Sequence, residues 1–460
     1  MYLCISILVL IISAYLFNKY GASLRLTEFN FCTYIFYYEI IAESFIASLL
    51  VVYKLDNHYM ISRVSDSSRI FGWAAVQWTM IGMGLGLIVG RYFTHETNSN
   101  KTFRIYTQKP IFEFEYKYET CIRIILIALS IISLLATMYY CATIGGITLF
   151  RLIHDPSLMF STLRSDINRN YGGIEYIKNV FSISLSPILA YIWYAMKKRN
   201  NTFYNRVWAF VMMCNAIIAL TNNLAKAPVA WFLLKYLFLY VLINSKIKRK
   251  YLYLAGASVL GLLVAVYVFL LKVPFETLFH FNSGIMGRIL LSQSAGTYFS
   301  FEYFPSVHEH LGFSSFPTWL TSLFGLEHSE RSARICMEIF NPRGVEAGVV
   351  GVINSLFIAE SWANWGFIGV LIAPIIAGFF IHVLFFSLIK LPKHPIVIGF
   401  ITYFCTMVPI TGGINDFIYP ISFIIMITIL YLCFYMSNLI IRAVKENWNA
   451  HNLSSTITTR

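Results

Sequence analysis

Apolar runs of about 20 residues recur from one end of this chain to the other, and Lys, Arg, Asp and Glu gather in the stretches between them. A helix of that length crosses the ~30 Å hydrocarbon layer of a bilayer. Backbone polar groups in lipid must be satisfied within the segment or around a closed barrel, and runs this long satisfy them as helices. The chain therefore reads as all-α, a polytopic transmembrane bundle. Its composition is 58% hydrophobic and 12% charged, against about 25% charged for a soluble domain. Eleven spans are expected, with a range of 10–12, near residues 2–17, 29–53, 70–90, 124–144, 180–196, 207–223, 227–244, 251–271, 366–388, 396–410 and 417–441.

The formal net charge of +13 does not point to nucleic acid, because membrane topology itself places cationic loops on one side. One set of alternate loops holds 21 Lys and Arg and the other, longer set holds 13. The denser set is expected in the cytoplasm, which puts the N-terminus outside and the C-terminus inside. The first run has no positive segment ahead of it and is read as a retained span. The division expected is N-terminal spans 1–144, an outer loop 145–179, central spans 180–271, a second outer loop 272–347, C-terminal spans 348–441 and a polar tail 442–460. The Cys spacing gives no disulfide framework. There is no CxxC, HExxH, Walker loop or GxSxG, so the usual zinc, nucleotide and serine-hydrolase readings fall away, and no cofactor is expected.

The two outer loops carry most of the chemistry. A transporter keeps its loops short and works at the membrane midplane, whereas loops this long are functional or disordered. The second is too rich in Phe, Tyr and Trp to remain solvated. Within it, Gly312 to Gly325 sets Phe313, Phe316, Trp319, Leu320 and Phe324 at helical spacing. That stripe suits either a short helix on the outer membrane interface or a helix packed on the bundle.

Arg151, Arg164 and Arg169 stand in the first loop, Arg288, Arg331, Arg334 and Arg343 in the second, and Lys226 at a tight hairpin. Guanidinium groups on the side where topology disfavours them suit a phosphate or diphosphate, which takes bidentate, charge-assisted bonds. The other reading is that each Arg pairs with Asp155, Asp166, Glu330 or Glu338. The five Asp residues form no DxD, and His308-Glu309-His310 is poorly spaced to share an ion on a helix. No metal site is expected, and cationic side chains are expected in its place.

Inside the spans, Glu39 and Glu43 lie one turn apart on one face, and Lys235 sits deep in the seventh run. Such charges face a bundle interior or a cavity, either as a structural Glu–Lys235 pair or as a proton or ion path. Glu360, in Ser355-Leu-Phe-Ile-Ala-Glu360-Ser-Trp-Ala-Asn364-Trp-Gly366-Phe-Ile-Gly369, stands with Asn364 at the outer mouth, as a general base or as an Arg partner. Gly412-Gly413-Ile414-Asn415-Asp416 offers a further outer carboxylate or a plain turn.

The spans, the two Arg-bearing loops, Leu224-Ala225-Lys226-Ala227-Pro228, the Glu360 segment and Phe316-Pro317-Thr318-Trp319 together resemble bacterial O-antigen polymerases of the Wzy type. The resemblance implies a GT-C-like, metal-independent glycosyltransferase in the bacterial cytoplasmic (inner) membrane, working at its periplasmic face. It would join oligosaccharide repeat units carried on undecaprenyl diphosphate, with membrane lipid around it, room for a chain-length regulator as partner, and no nucleic acid. Lys226, Arg288 and Arg164 would stabilise the diphosphate leaving group, and Glu360 or another carboxylate or His would take the acceptor proton. Arg151, Arg169, His328, Arg331, Arg334 and Asn364 would hold substrate. An O-antigen ligase of the same fold and a lipid-linked oligosaccharide flippase are the alternatives.

Overall fold

The computed structural model describes residues 1–56, 61–154, 167, 171–222, 224, 226–265, 267–268, 273–280, 284–346, 351–404, 407–408, 410–418, 424–425, 427–429 and 431–439. The regular structure among those residues is helical, with no strand. Among the described residues, seven helices are long and apolar enough to cross a membrane: α1 (Tyr2–Tyr20), α2 (Phe31–Val52), α3 (Asp66–Phe93), α4 (Tyr116–Thr143), α5 (Ile177–Arg199), α6 (Phe203–Thr221) and, far along the chain, Ile358–Lys390. Between α6 and that last span lie α7 (Lys226–Asn244), α8 (Arg249–Ala265), α9 (Ala295–Tyr303) and α10 (Ser332–Phe340). The long span is α11, and after it come the shorter apolar helices α12 (Pro395–Phe404) and α13 (Ile427–Leu439). The chain is thus a multi-pass, all-α membrane protein. The described part of the run expected to span 396–410 is α12, ten residues that rise about 15 Å; residues 405, 406 and 409 lie outside the described residues.

Local sequence sets several boundaries. Asn30 opens α2 with a capping box: its Oδ1 accepts from the Cys32 and Thr33 amides at 2.8 and 3.3 Å, and Thr33 Oγ1 accepts from the Asn30 amide at 2.8 Å. Ser65 caps α3 and Thr202 caps α6 through their hydroxyls. Within α2, Ile35–Phe45 is wound as a π-helix, a form that concentrates at functional positions.

The chain divides into two interleaved units. The first comprises Met1–Gln108, Tyr240–Lys390 and Cys405–Pro420, and its axis is the pair α3 and α11. Gly82, Gly86 and Gly90 recur every four residues and so form one ridge of α3, which lies against Pro374, Gly378 and His382 of α11. A side chain at Gly86 would enter the Ile375 carbonyl, and one at Gly378 the Met83 carbonyl. Small residues let two backbones meet at this distance, and dispersion then replaces lipid contact. Matching residues advance together along both helices, so α3 and α11 run parallel. The polar residues of this core pair with one another: Trp73 Nε1 donates to Ser6 Oγ at 3.0 Å, Ser13 Oγ to the Met80 carbonyl at 3.1 Å, and Gln77 Nε2 to Ser48 Oγ at 3.2 Å.

At the N-terminal end of α3 the second long loop is folded. Tyr298, Phe299 and Phe304 from and beside α9, Cys336 and Met337 from α10, and Leu311 and Ala363 form one core with Val51, Ile61 and Val64. Arg69 pins the chain around it, meeting Asp56 at 3.0 and 3.2 Å and the Val51 and Ile61 carbonyls at 2.8 Å each. The aromatic stripe of residues 313–324 does not become one helix. Pro317 starts and Gly325, at φ +65°, ends a single helical stretch, Thr318–Leu323. Phe316 is buried, whereas Phe313, Trp319 and Phe324 are exposed.

The second unit comprises Lys109–Leu239, Leu391–Phe404 and Ile421–Arg460. Polar pairs again join its helices: Trp193 Nε1 to Ser130 Oγ at 2.9 Å, and Asn215 Nδ2 to Ser133 Oγ at 3.2 Å. Glu119, at the start of α4, is held by Arg199 and by His394 Nε2. Lys235 lays its ammonium over the Tyr403 ring, 4.7 Å from the centroid.

Candidate functional site

The beginning of α11 is a separate helical piece. Residues 358–365 wind normally, and Gly366 then adopts φ 57° and ψ −138°, a conformation natural to glycine alone, before the span resumes. The break frees the short piece to turn its polar residues inward under the folded loop. Its Ala363 and Asn364 carbonyls accept from the Leu311 and Gly312 amides at 2.8 and 2.9 Å. His310 lies over Gly366 and edge-on to Trp362.

Glu360, on this piece, is 2% exposed. Its Oε1 accepts from Arg331 Nε at 2.6 Å, and its Oε2 from Arg331 Nη2 at 3.0 Å and from the Asn415 amide at 3.0 Å. The same guanidinium turns its other edge to Asp416, with Nη1 to Oδ1 and Nη2 to Oδ2 both at 3.1 Å. One arginine thus bridges two carboxylates, each in a forked, charge-assisted arrangement. Arg331 stands just before α10, Glu360 at the head of α11 and Asp416 on the turn after α12, so three distant stretches close the site. Gly413 makes the closure feasible, since any side chain there would collide with the Glu360 carboxylate and the Arg331 guanidinium.

Beside the charges lies a buried amide and hydroxyl set. Ser315 Oγ donates to Asn364 Oδ1 at 2.9 Å, Asn364 Nδ2 to Asn415 Oδ1 at 3.2 Å, and Asn415 Nδ2 to the Ser315 carbonyl at 3.2 Å. Burial works against the charge on Arg331, but Glu360 and Asp416 outweigh it and hold the guanidinium above its ordinary pKa. With both carboxylates ionised the three side chains carry a net −1. The cluster can accept a proton or hydrogen-bond hydroxyl groups, and Asp416, half-buried, is its solvent-facing side.

The residues expected from sequence scatter around this centre. Arg331, Glu360 and Asn364 come together. Arg334 instead pairs with Glu338 at 2.8 Å on its own helix and donates to the Gly351 carbonyl at 2.8 Å. His328 is exposed, its Nδ1 2.9 Å from the Phe316 carbonyl. Arg288 is exposed in the π-helical stretch Gly287–Leu291; its amide donates to the Gly284 carbonyl at 3.2 Å, and its guanidinium makes no hydrogen bond or ion pair with another described residue. Arg151, in the second unit, donates to the Ile144 carbonyl. Arg164 and Arg169 lie outside the described residues, and Lys226 is described only as the first residue of α7, without its side chain. The site adds Asp416, Asn415, Ser315 and Gly413. Of these, the carboxylate and the glycine pair of the 412–416 turn were open to recognition, because a turn that carries a charge next to two glycines is built for close approach.

Among the described residues no three His, Cys, Asp or Glu side chains gather as metal ligands would. Compared with family models, curated proteins and solved structures, the chain matches none of them.

Proposed function

We propose that this protein is an integral-membrane glycosyltransferase that elongates a glycan carried on a polyprenyl diphosphate, in the manner of the O-antigen polymerases its sequence resembles. The observation that carries the reading is the Arg331–Glu360–Asp416 cluster, set against buried Asn364, Asn415 and Ser315 at the head of a span. Glycosyl transfer to a sugar hydroxyl needs a base to take the hydroxyl proton and polar groups to orient the ring. Glu360 supplies the base once an acceptor hydroxyl displaces part of its contact with Arg331. Asn364, Asn415 and Ser315 supply amide and hydroxyl groups of the kind that read sugar hydroxyls.

The leaving diphosphate needs positive charge that is not already committed to carboxylates. Arg331 is committed; the Arg288 guanidinium is not, and we assign it that role. The donor lipid enters from the bilayer and the acceptor glycan from the loop side.

The test is elongation by the purified chain in detergent, supplied with polyprenyl-diphosphate-linked repeat units and EDTA. The expected result is a ladder of longer lipid-linked glycans, lost in Glu360→Gln and in Arg288→Ala. An undiminished ladder from Glu360→Gln would overturn the assignment of the base. No ladder from a folded preparation given its native repeat unit would overturn the activity.

A further inference from the structure

Halfway along α2 lies a polar cluster that the Arg331 site does not use. Glu39 and Glu43 are 4% and 3% exposed and sit one turn apart in the π-helical stretch. Hydroxyl groups answer them, not charges. Tyr34 donates to Glu39 Oε1, Thr411 donates to Glu39 Oε2 at 2.9 Å, and the Tyr38 hydroxyl and the Glu39 carboxyl both face Glu43. Glu43 Oε2 is fully enclosed and has no hydrogen-bond partner among the described residues.

The described charged groups on the elements packed around this stretch are engaged elsewhere or face solvent. On α3, Asp66 holds Lys54, Arg69 holds Asp56, and Arg91 donates to the Glu96 and Thr97 carbonyls. Arg288, on the Gly287–Leu291 turn, is exposed, and Asp416, on the turn that brings Thr411, holds Arg331. Among the described residues no cation therefore compensates either carboxyl.

Two facing carboxylates inside a membrane, both stripped of water, repel each other and pay desolvation twice. A neutral carboxyl with an unpaired oxygen is a small cost; an ionised one in that position is a large one. We propose that Glu39 and Glu43 form an intramembrane proton-binding site that holds one shared, exchangeable proton at neutral pH. Thr411 ties this site to the turn that carries Asn415 and Asp416. The proposal does not depend on the glycosyltransferase reading.

The test is infrared spectroscopy of the whole chain in lipid nanodiscs at pH 7, in potassium and in sodium buffers. Wild type is expected to show the carbonyl stretch of a protonated carboxyl, shifted on transfer to D2O and absent from the E39Q/E43Q double variant. Raising the pH on wild type alone, with helix content unchanged, should convert that band to carboxylate, which tests the proposal even where the double variant folds poorly. A spectrum without the band, or a band that survives in a folded double variant, overturns it. Replacement of the band by sodium, with sodium-dependent thermal stabilisation, also overturns it by assigning the pair to a metal cation.

Discussion

Glu360 and Glu39 are equally hidden carboxyls of the same unit, and they are satisfied in opposite ways. Glu360 meets a guanidinium in a bidentate pair; Glu39 meets a tyrosine and a threonine hydroxyl. The first arrangement holds a charge in place and leaves its partner a third exposed, at 35%, so that solvent can reach the guanidinium. The second can persist only if charge is largely absent. Sequence position sets Glu39 inside an apolar run and Glu360 just ahead of one, but it does not say how either carboxyl is satisfied. What separates them is the nature of the group brought opposite from a distant part of the chain.

The comparison is sharpened most by Glu360→Gln. Gln keeps the size and loses the basicity, so the elongation rate is expected to fall by about 10²–10⁴, the usual worth of a general base. Quantified lipid-linked ladders check it, and a loss below tenfold would make Glu360 a structural partner of Arg331.

Next in size is Gly413→Val, which should force Arg331 and Glu360 apart. Overpacking of this kind costs roughly 3 kcal/mol. It is measured as a lowered unfolding midpoint, with elongation lost at the same time. Arg331→Met should follow. Breaking a fully buried pair costs about 3–5 kcal/mol, and the partial exposure of the guanidinium reduces this to about 2 kcal/mol. Arg331→Lys should lie between wild type and Met, because an ammonium cannot fork to both Glu360 and Asp416. Equal stability of Lys and wild type would show that the forked geometry contributes nothing.

The spans were largely legible because burial in lipid leaves a local trace, an apolar run of fixed length. The Gly82, Gly86 and Gly90 ridge was equally present in the sequence, as a repeat of four, but its partner on α11 lies almost 300 positions away and leaves no mark beside it. The same limit governs the site. Arg331, Glu360 and Asn364 each stood out by residue type, yet Arg331 pairs across 29 positions with Glu360 and across 85 with Asp416, and periodicity reports nothing at those separations. Arg334 shows the converse: its partner Glu338 is one turn away, so it was open to being read as a local ion pair. The stripe from Phe313 to Phe324 has helical spacing but crosses Pro317, where a new helical stretch begins, so Phe313 and Phe316 fall outside the helix that carries Trp319 and Leu320.

The smallest expected effect bears hardest on the comparison. Glu39→Gln replaces a carboxyl by an amide of the same shape in a site where the carboxyl pair is already proton-bound. The amide oxygen can still accept from Tyr34 or Thr411, and the loss of one acidic group removes repulsion with Glu43. The change in stability should stay within about 1 kcal/mol, in contrast to about 2 kcal/mol for Arg331→Met. Glu39→Lys would place an unneutralised ammonium among the same hydroxyls and test whether the site tolerates any charge. Denaturant titration of both variants at pH 7 gives the answer. If Glu39→Gln destabilises as much as Arg331→Met, the carboxyl at position 39 is ionised and compensated after all, and the distinction between the two buried acids disappears.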